Sequence, residues 1–86
     1  MASIDEITSS LQAVVDKAEE TTTGAQGAIS ETDELIAQAL AMNAVGLAAD
    51  LQQVKATIEN GLAQVTAAIE TFDEAITQAN AARGRT

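Results

Sequence analysis

A seven-residue repeat constrains the fold of this chain more than any other feature of its sequence. From Ile4 to Met42 its core-type positions alternate steps of three and four without a slip. The positions are Ile4, Ile7, Leu11, Val14, Ala18, Thr21, Ala25, Ala28, Thr32, Leu35, Ala39 and Met42. This spacing places their side chains along one stripe of an α-helix, as in a helix that packs lengthwise against another helix.

A second repeat of the same kind begins at Leu47, after the short stretch Asn43-Ala44-Val45-Gly46. Its positions are Leu47, Leu51, Val54, Ile58, Leu62, Val65, Ile69, Phe72, Ile76 and Ala79. Two consecutive steps of four around Ile58 and Leu62 predict a stutter, which locally unwinds a left-handed supercoil. Asn43 and Gly46 tolerate left-handed backbone angles, so the stretch 43–46 is predicted to be a turn.

The two repeats predict an all-α fold, an antiparallel helical hairpin of two long helices that form a single domain over residues 1–82. We expect helices over 4–42 and 47–82, a turn over 43–46 and a flexible tail over 83–86. Ser3-Ile-Asp-Glu6 resembles a capping box, which places the start of the first helix near residue 4. The 86 residues contain no proline, which fits long helices because an interior proline costs about 3 kcal/mol.

The segment 21–30 leaves a second fold open. Three threonines and two glycines make it a poor helix former, since each glycine costs about 1 kcal/mol relative to alanine. A three-helix bundle with helices near 4–20, 30–42 and 47–82 is the alternative. The unbroken repeat through this segment favours the hairpin. Gly27 and Gly61 would lie at the same level of a hairpin, either by chance or because the two backbones approach closely there.

The apolar stripe is wider than one opposing helix can cover, because Val14/Val15, Leu35/Ile36 and other adjacent apolar pairs point in two directions. We therefore expect two hairpins, identical or similar, to associate as a homodimer or heterodimer into a four-helix bundle. The predicted interface residues are Ile7, Leu11, Val14, Ile29, Leu35, Ile36, Leu51, Val54, Ile58, Leu62, Val65, Ile69, Phe72 and Ile76.

The composition argues against an enzyme. There is no histidine or cysteine, so the usual general base and the commonest metal ligands are missing. The acidic pairs Asp5/Glu6, Glu19/Glu20, Asp33/Glu34 and Asp73/Glu74 lie off the predicted stripe and are expected to be solvated. No phosphate-binding or calcium-binding motif is present. We predict no catalytic residues, cofactor, metal site or small-molecule substrate.

Charge and hydropathy limit the partners and the location. The net charge is −9 with only four basic residues, so no basic surface for nucleic acid is expected. The longest uncharged stretch, 37–49, is too short to span a bilayer. The N-terminal sequence lacks the basic region followed by an apolar run that marks a signal peptide. We expect a cytoplasmic location, with export by a route independent of the Sec machinery left open.

The turn carries a resemblance to a known family. A short, acidic, alanine-rich and cysteine-free hairpin with Ala44-Val45-Gly46 at its turn resembles the ESAT/WXG family of type VII secretion proteins, where Trp-x-Gly occupies this place. The stretch 44–58 is also similar to a small actinobacterial family of unknown function. The resemblance implies a secretion substrate, partner or chaperone that pairs through apolar hairpin faces. Ala44 replaces the tryptophan, and the sequence contains no tyrosine for the family's Tyr-x-x-x-Asp/Glu signal. The resemblance therefore implies either a partner that carries the signal or a protein that stays inside the cell. The alternative is a generic coiled-coil dimerisation or scaffold module without a secretion role.

Overall fold

Two long helices account for nearly all of the residues, 3–85, that a computed structural model of the chain describes. Helix α1 spans Ile4–Ala41 and helix α2 spans Val45–Arg83. They pack along their lengths as an antiparallel hairpin with extents of 66 × 17 × 14 Å. The predicted hairpin is confirmed.

The threonine- and glycine-rich segment 21–30 is helical throughout, so the three-helix alternative is wrong. The hydroxyls of Thr21, Thr22 and Thr23 each donate to the backbone oxygen four residues earlier, at 3.0–3.2 Å. Thr32 makes the same bond to the oxygen of Ala28 at 2.7 Å. These bonds satisfy the hydroxyls within α1, so this part of the helix accommodates its threonines without a break.

Helix α1 begins at Ile4, as predicted, and the Ser3 side chain caps it. The Glu6 N–H donates to Ser3 Oγ at 3.1 Å, which satisfies one of the backbone donors that a helix start leaves unpaired. Asp5 and Glu6 lie in the first turn, where the helix dipole favours negative charge.

The turn is shorter than predicted. Asn43 has the only positive φ among the non-glycine residues described, at 57°, and the Ala44 N–H donates to the Ala39 oxygen at 2.8 Å. One left-handed residue therefore reverses the chain, and helix α2 starts two residues later, at Val45. The prediction that Val45 and Gly46 belong to the turn is wrong, because both lie in the first turn of α2.

The two helices meet along a seam of regularly spaced residues. In α1 the seam consists of Ile4, Thr8, Leu11, Val15, Ala18, Thr22, Ala25, Ile29, Thr32, Ile36 and Ala39. The opposing residues are Ala44, Ala48, Leu51, Lys55, Ile58, Leu62, Val65, Ile69, Phe72, Ile76 and Ala79. Steps of three and four alternate without interruption in both series. All of these residues are buried or half-buried, and Val15 is only 2% exposed.

The seam differs from the predicted stripe at every second position of α1. Ile7, Val14 and Leu35 were predicted to pack inward, but they are exposed, and the residue after each of them occupies the seam instead. The physical reason is that both members of each adjacent pair can serve as core residues and α2 covers only one of them. The other row of apolar side chains is left outside the hairpin.

Helix α2 shows the same shift of one residue, between the predicted stripe and the seam, near the turn. Ala48 and Lys55 lie in the seam, while the predicted Leu47 and Val54 are exposed. The stutter predicted around Ile58 and Leu62 is therefore wrong. It arose because hydrophobicity alone selected Val54 over Lys55, whose long aliphatic stem can cover apolar neighbours while its charge reaches outward.

The structure decides between the two explanations of the paired glycines and corrects the predicted C-terminal tail. A Cβ atom built at Gly27 or Gly61 meets nothing within 4 Å, so these glycines do not mark a close approach of backbones. Arg83, assigned to a flexible tail, is the last residue of α2 and forms an ion pair with Asp5 and a 3.3 Å hydrogen bond to Thr8 Oγ1. The rest of the predicted tail that is described, 84–85, forms a turn, and residue 86 lies outside the described residues.

Candidate interaction surface

An exposed row of apolar side chains runs along α1 beside the seam. It repeats every seven residues and consists of Ile7, Val14, Thr21, Ala28, Leu35 and Met42, of which Ala28 is half-buried and the others are exposed. The equivalent row of α2 is Leu47, Val54, Gly61, Ala68, Ala75 and Ala82. The six large apolar side chains in the two rows are between 44% and 70% exposed.

The two rows lie on the same face of the hairpin. A rotation of 180° about an axis through that face converts one helix of an antiparallel pair into the other, so equivalent rows share a face. The rows on the other side of the seam show this directly, because Asp5 and Gln12 of α1 line one shallow cleft of about 440 Å³ together with Asn80 of α2. We call the surface made by the two exposed apolar rows the apolar face.

Two ion pairs between the helices fix their register. Asp5 pairs with Arg83, and Asp33 Oδ1 lies 2.8 Å from Lys55 Nζ. In each pair the residue numbers add to 88, so residues with a similar sum lie at one level. On the apolar face this places Leu35 level with Val54. The large side chains near the turn therefore form one continuous patch, whereas the middle of the face has threonine, alanine and glycine.

The opposite face of the hairpin is acidic. Its rows carry Asp5, Gln12, Glu19, Gln26, Asp33 and Leu40 in α1 and Val45, Gln52, Glu59, Thr66, Asp73 and Asn80 in α2. Leu40 and Val45 are the only large apolar residues of these rows, and both adjoin the turn. None of the thirteen acidic residues of the chain occupies the apolar face. The hairpin thus separates an uncharged apolar face from a strongly negative one.

Lys55 is the residue that sequence reasoning missed. Its side chain is 27% exposed in the seam, and its contact with Asp33 directs the ammonium group toward the acidic face. The hydrogen bond to Asp33, followed by the negative charge of that carboxylate, raises the pKa of Lys55 above the ordinary lysine value. The signal available in the sequence was a lysine at the repeat spacing among apolar residues. The residue numbers of this lysine and of Asp33 add to 88, which places the two residues at one level of the hairpin.

The candidate reactive groups do not assemble into a site. The four acidic pairs are exposed, and no cluster of three or more metal-ligating side chains occurs among residues 3–85. The shallow cleft at the open end of the hairpin is lined by Asp5, Thr8, Asn80 and Arg83, and its guanidinium is already engaged by Asp5 and Thr8. The apolar face is therefore the feature that calls for a functional explanation.

The structure divides the fourteen predicted interface residues into two groups. Ten lie in the seam between the helices: Leu11, Ile29, Ile36, Leu51, Ile58, Leu62, Val65, Ile69, Phe72 and Ile76. The other four, Ile7, Val14, Leu35 and Val54, lie on the apolar face. That face also includes Met42 and Leu47, which belonged to the repeats but were not assigned to the interface.

Comparisons with protein-family models, with curated proteins and with solved structures return no match to this chain. Within the described part of the chain, neither helix is long and apolar enough to cross a membrane. The two faces of the hairpin are therefore the features that bear on function.

Proposed function

We propose that this chain is a non-enzymatic interaction protein that binds a similar helical hairpin through its apolar face and completes a four-helix bundle. The observation that carries the proposal is the set of six large apolar side chains left exposed beside the seam, four of which form a continuous patch near the turn. They are Ile7, Val14, Leu35 and Met42 on α1 and Leu47 and Val54 on α2, and the patch consists of the last four. Contiguous apolar surface of this kind is typical of interaction sites.

The apolar face suits a helical partner. Its side chains repeat every seven residues along both helices, so another helix pair lying lengthwise can contact all of them, as in a four-helix bundle. The hairpin is 66 Å long, so a pair of long helices matches the length of the face.

The proposal extends to a role as a substrate, partner or chaperone in type VII secretion. The support is the hairpin shape together with Ala44-Val45-Gly46 beside the turn. Because the sequence contains no tyrosine, such a role needs a partner hairpin that supplies the export signal. A secretion ATPase gene beside this one and release of the protein into the culture medium would support this role, and the absence of both would contradict it.

A generic dimerisation or scaffold module is the second candidate. Ala44 in the place of the family's tryptophan favours it, because the residue that characterises the secretion family is missing. This candidate predicts that the protein stays in the cell and that no secreted hairpin binds it.

Matched variants test the property that both candidate functions share, which is binding through the apolar face. Leu35 on the apolar face and Leu40 on the acidic face are 49% and 53% exposed in the same helix. Affinity capture from the native host, followed by mass spectrometry, would use the unchanged chain, Leu35→Glu and Leu40→Glu as baits. We expect the same helical-hairpin partner, or the chain itself, with the first and third baits and its loss with Leu35→Glu. Equal capture by all three baits would contradict the proposal.

A further inference from the structure

We propose that the partner on the apolar face is a second copy of this chain, placed so that the two α1 helices cross the interface antiparallel to each other. This inference rests on the proposed function, and it specifies the partner and its orientation. It follows from the order of side-chain sizes along α1 and from the positions of two charges at the edge of the face.

The apolar row of α1 has the same order of sizes in both directions. Bulky residues stand at each end, Ile7 and Val14 at one and Leu35 and Met42 at the other, with Thr21 and Ala28 between them. The row is symmetric about the level between residues 24 and 25. A two-fold axis lying in the face at that level places α1 over α1 of the second copy. Ile7 then meets Met42 of the second copy, and Val14 meets Leu35.

Charges at the edge of the face select this orientation. Lys17 and Glu31 are exposed residues of α1 beside the apolar row, on the side away from the seam. They lie at nearly equal distances on either side of the proposed axis, so Lys17 of each copy is level with Glu31 of the other. The dimer thereby gains two pairs of opposite charge. The Lys17 ammonium group lies 3.4 Å from Glu20 of its own helix and the Lys17 side chain is 82% exposed, so it is accessible to a second copy.

The alternative two-fold axis, along the length of the hairpin, places α1 over α2 of the second copy. Residues adding to about 88 then meet across the interface, so Lys17 faces Thr71 and Glu31 faces Thr57. No opposite charges pair in that arrangement. It also brings the large side chains near the turn of both copies together, whereas at the open ends Ile7 and Val14 meet only Ala82 and Ala75. The α1-on-α1 orientation distributes the large apolar side chains evenly along the interface and pairs each Lys17 with a Glu31 of the other copy.

The size of the face suits a second copy as the occupant. The net charge of −9 on each copy opposes self-association, but the proposed contact places the two acidic faces on opposite outer sides of the bundle, which limits their repulsion. The extents of 66 × 17 Å in the plane of the two helices give a footprint of about 1,100 Å², above the roughly 800 Å² per partner that standard interfaces bury.

Charge exchange tests this arrangement. Light scattering with refractive-index detection is expected to give the unchanged chain a mass of twice 8.8 kDa at micromolar concentration. Lys17→Glu and Glu31→Lys each convert two attractive pairs to repulsive ones, which weakens self-association by about tenfold. Mixing the two variants restores both pairs, so native mass spectrometry is expected to show heterodimers well above their statistical share. Glu34→Lys, on the outer side of α1, is the matched control and is expected to give neither effect.

Each other outcome overturns the inference in an identifiable way. A monomeric unchanged chain would exclude the second copy as partner, while loss of a different captured hairpin with Leu35→Glu would leave the proposed function standing. A dimer that Lys17→Glu and Glu31→Lys do not weaken, and whose variants mix statistically, would exclude the α1-on-α1 orientation. Equal capture by the Leu35→Glu and Leu40→Glu baits would remove the proposed function itself.

Discussion

Replacement of Ile36 by alanine tests the position of the seam. Ile36 is 6% exposed, and Ile36→Ala removes three buried carbons, each contributing about 0.8 kcal/mol. Alanine is the better helix former by a few tenths of a kcal/mol, so we expect a net loss of about 2 kcal/mol in the free energy of unfolding. For a chain of this size that loss lowers Tm by roughly 8–16 °C.

Leu40→Ala is the control for Ile36→Ala, because it removes the same number of carbons one turn later. Leu40 is 53% exposed and lies on the acidic face, so we expect a loss of about 1 kcal/mol or less. The assay is urea and thermal unfolding followed by far-ultraviolet circular dichroism, since the chain has no tryptophan or tyrosine for fluorescence. A loss for Leu40→Ala equal to or larger than that for Ile36→Ala would refute the assignment of the seam.

Three further predictions concern single residues. The raised pKa of Lys55 means that its ion pair with Asp33 contributes stability that is fully present below about pH 10.4 and is lost as the pH rises through the higher pKa of the folded state. Lys55→Met should therefore show a smaller alkaline loss of stability than the unchanged chain in denaturation at several pH values, and parallel losses would contradict this. Asn43→Ala should lower stability by about 1 kcal/mol because of the left-handed backbone angle, whereas Asn43→Gly should not; equal effects in urea unfolding would argue against the strain. Gly27→Ala should raise the free energy of unfolding by roughly 0.5–1 kcal/mol, because its Cβ meets nothing within 4 Å, and a lower midpoint in the same assay would contradict the open surroundings of Gly27.

The sequence determined the architecture of the hairpin but not the rotation of its helices about their axes. The unbroken repeat through 21–30, the lack of proline and the Ser3 cap were enough to predict two long helices. The choice between Leu35 and Ile36 for the seam was not predictable from hydrophobicity, because both are apolar and only one of them can face α2. Such a choice depends on the packing of the whole opposing helix, which periodicity in a single helix does not include.

Lys55 shows that hydrophobicity alone was also insufficient to predict the candidate site. A lysine in a seam is excluded by a rule that scores residues as apolar or polar, although its stem packs and its charge reaches Asp33. Once Lys55 was omitted, Val54 took its place in the predicted stripe and the pattern acquired a false stutter. The repeats therefore did not reveal the apolar face, because they assigned some of its residues to the core and did not include the others. Its recognition required the burial of individual side chains.

We propose that the apolar face of the hairpin, and not the opposite acidic face, binds a second hairpin. The most direct measurement is the mass in solution of the unchanged chain, Leu35→Glu and Leu40→Glu, by light scattering with refractive-index detection, with circular dichroism to confirm that each is helical. We predict twice 8.8 kDa for the unchanged chain and for Leu40→Glu, and 8.8 kDa for a helical Leu35→Glu. A dimer that persists in Leu35→Glu, or one that is lost only in Leu40→Glu, would contradict the account.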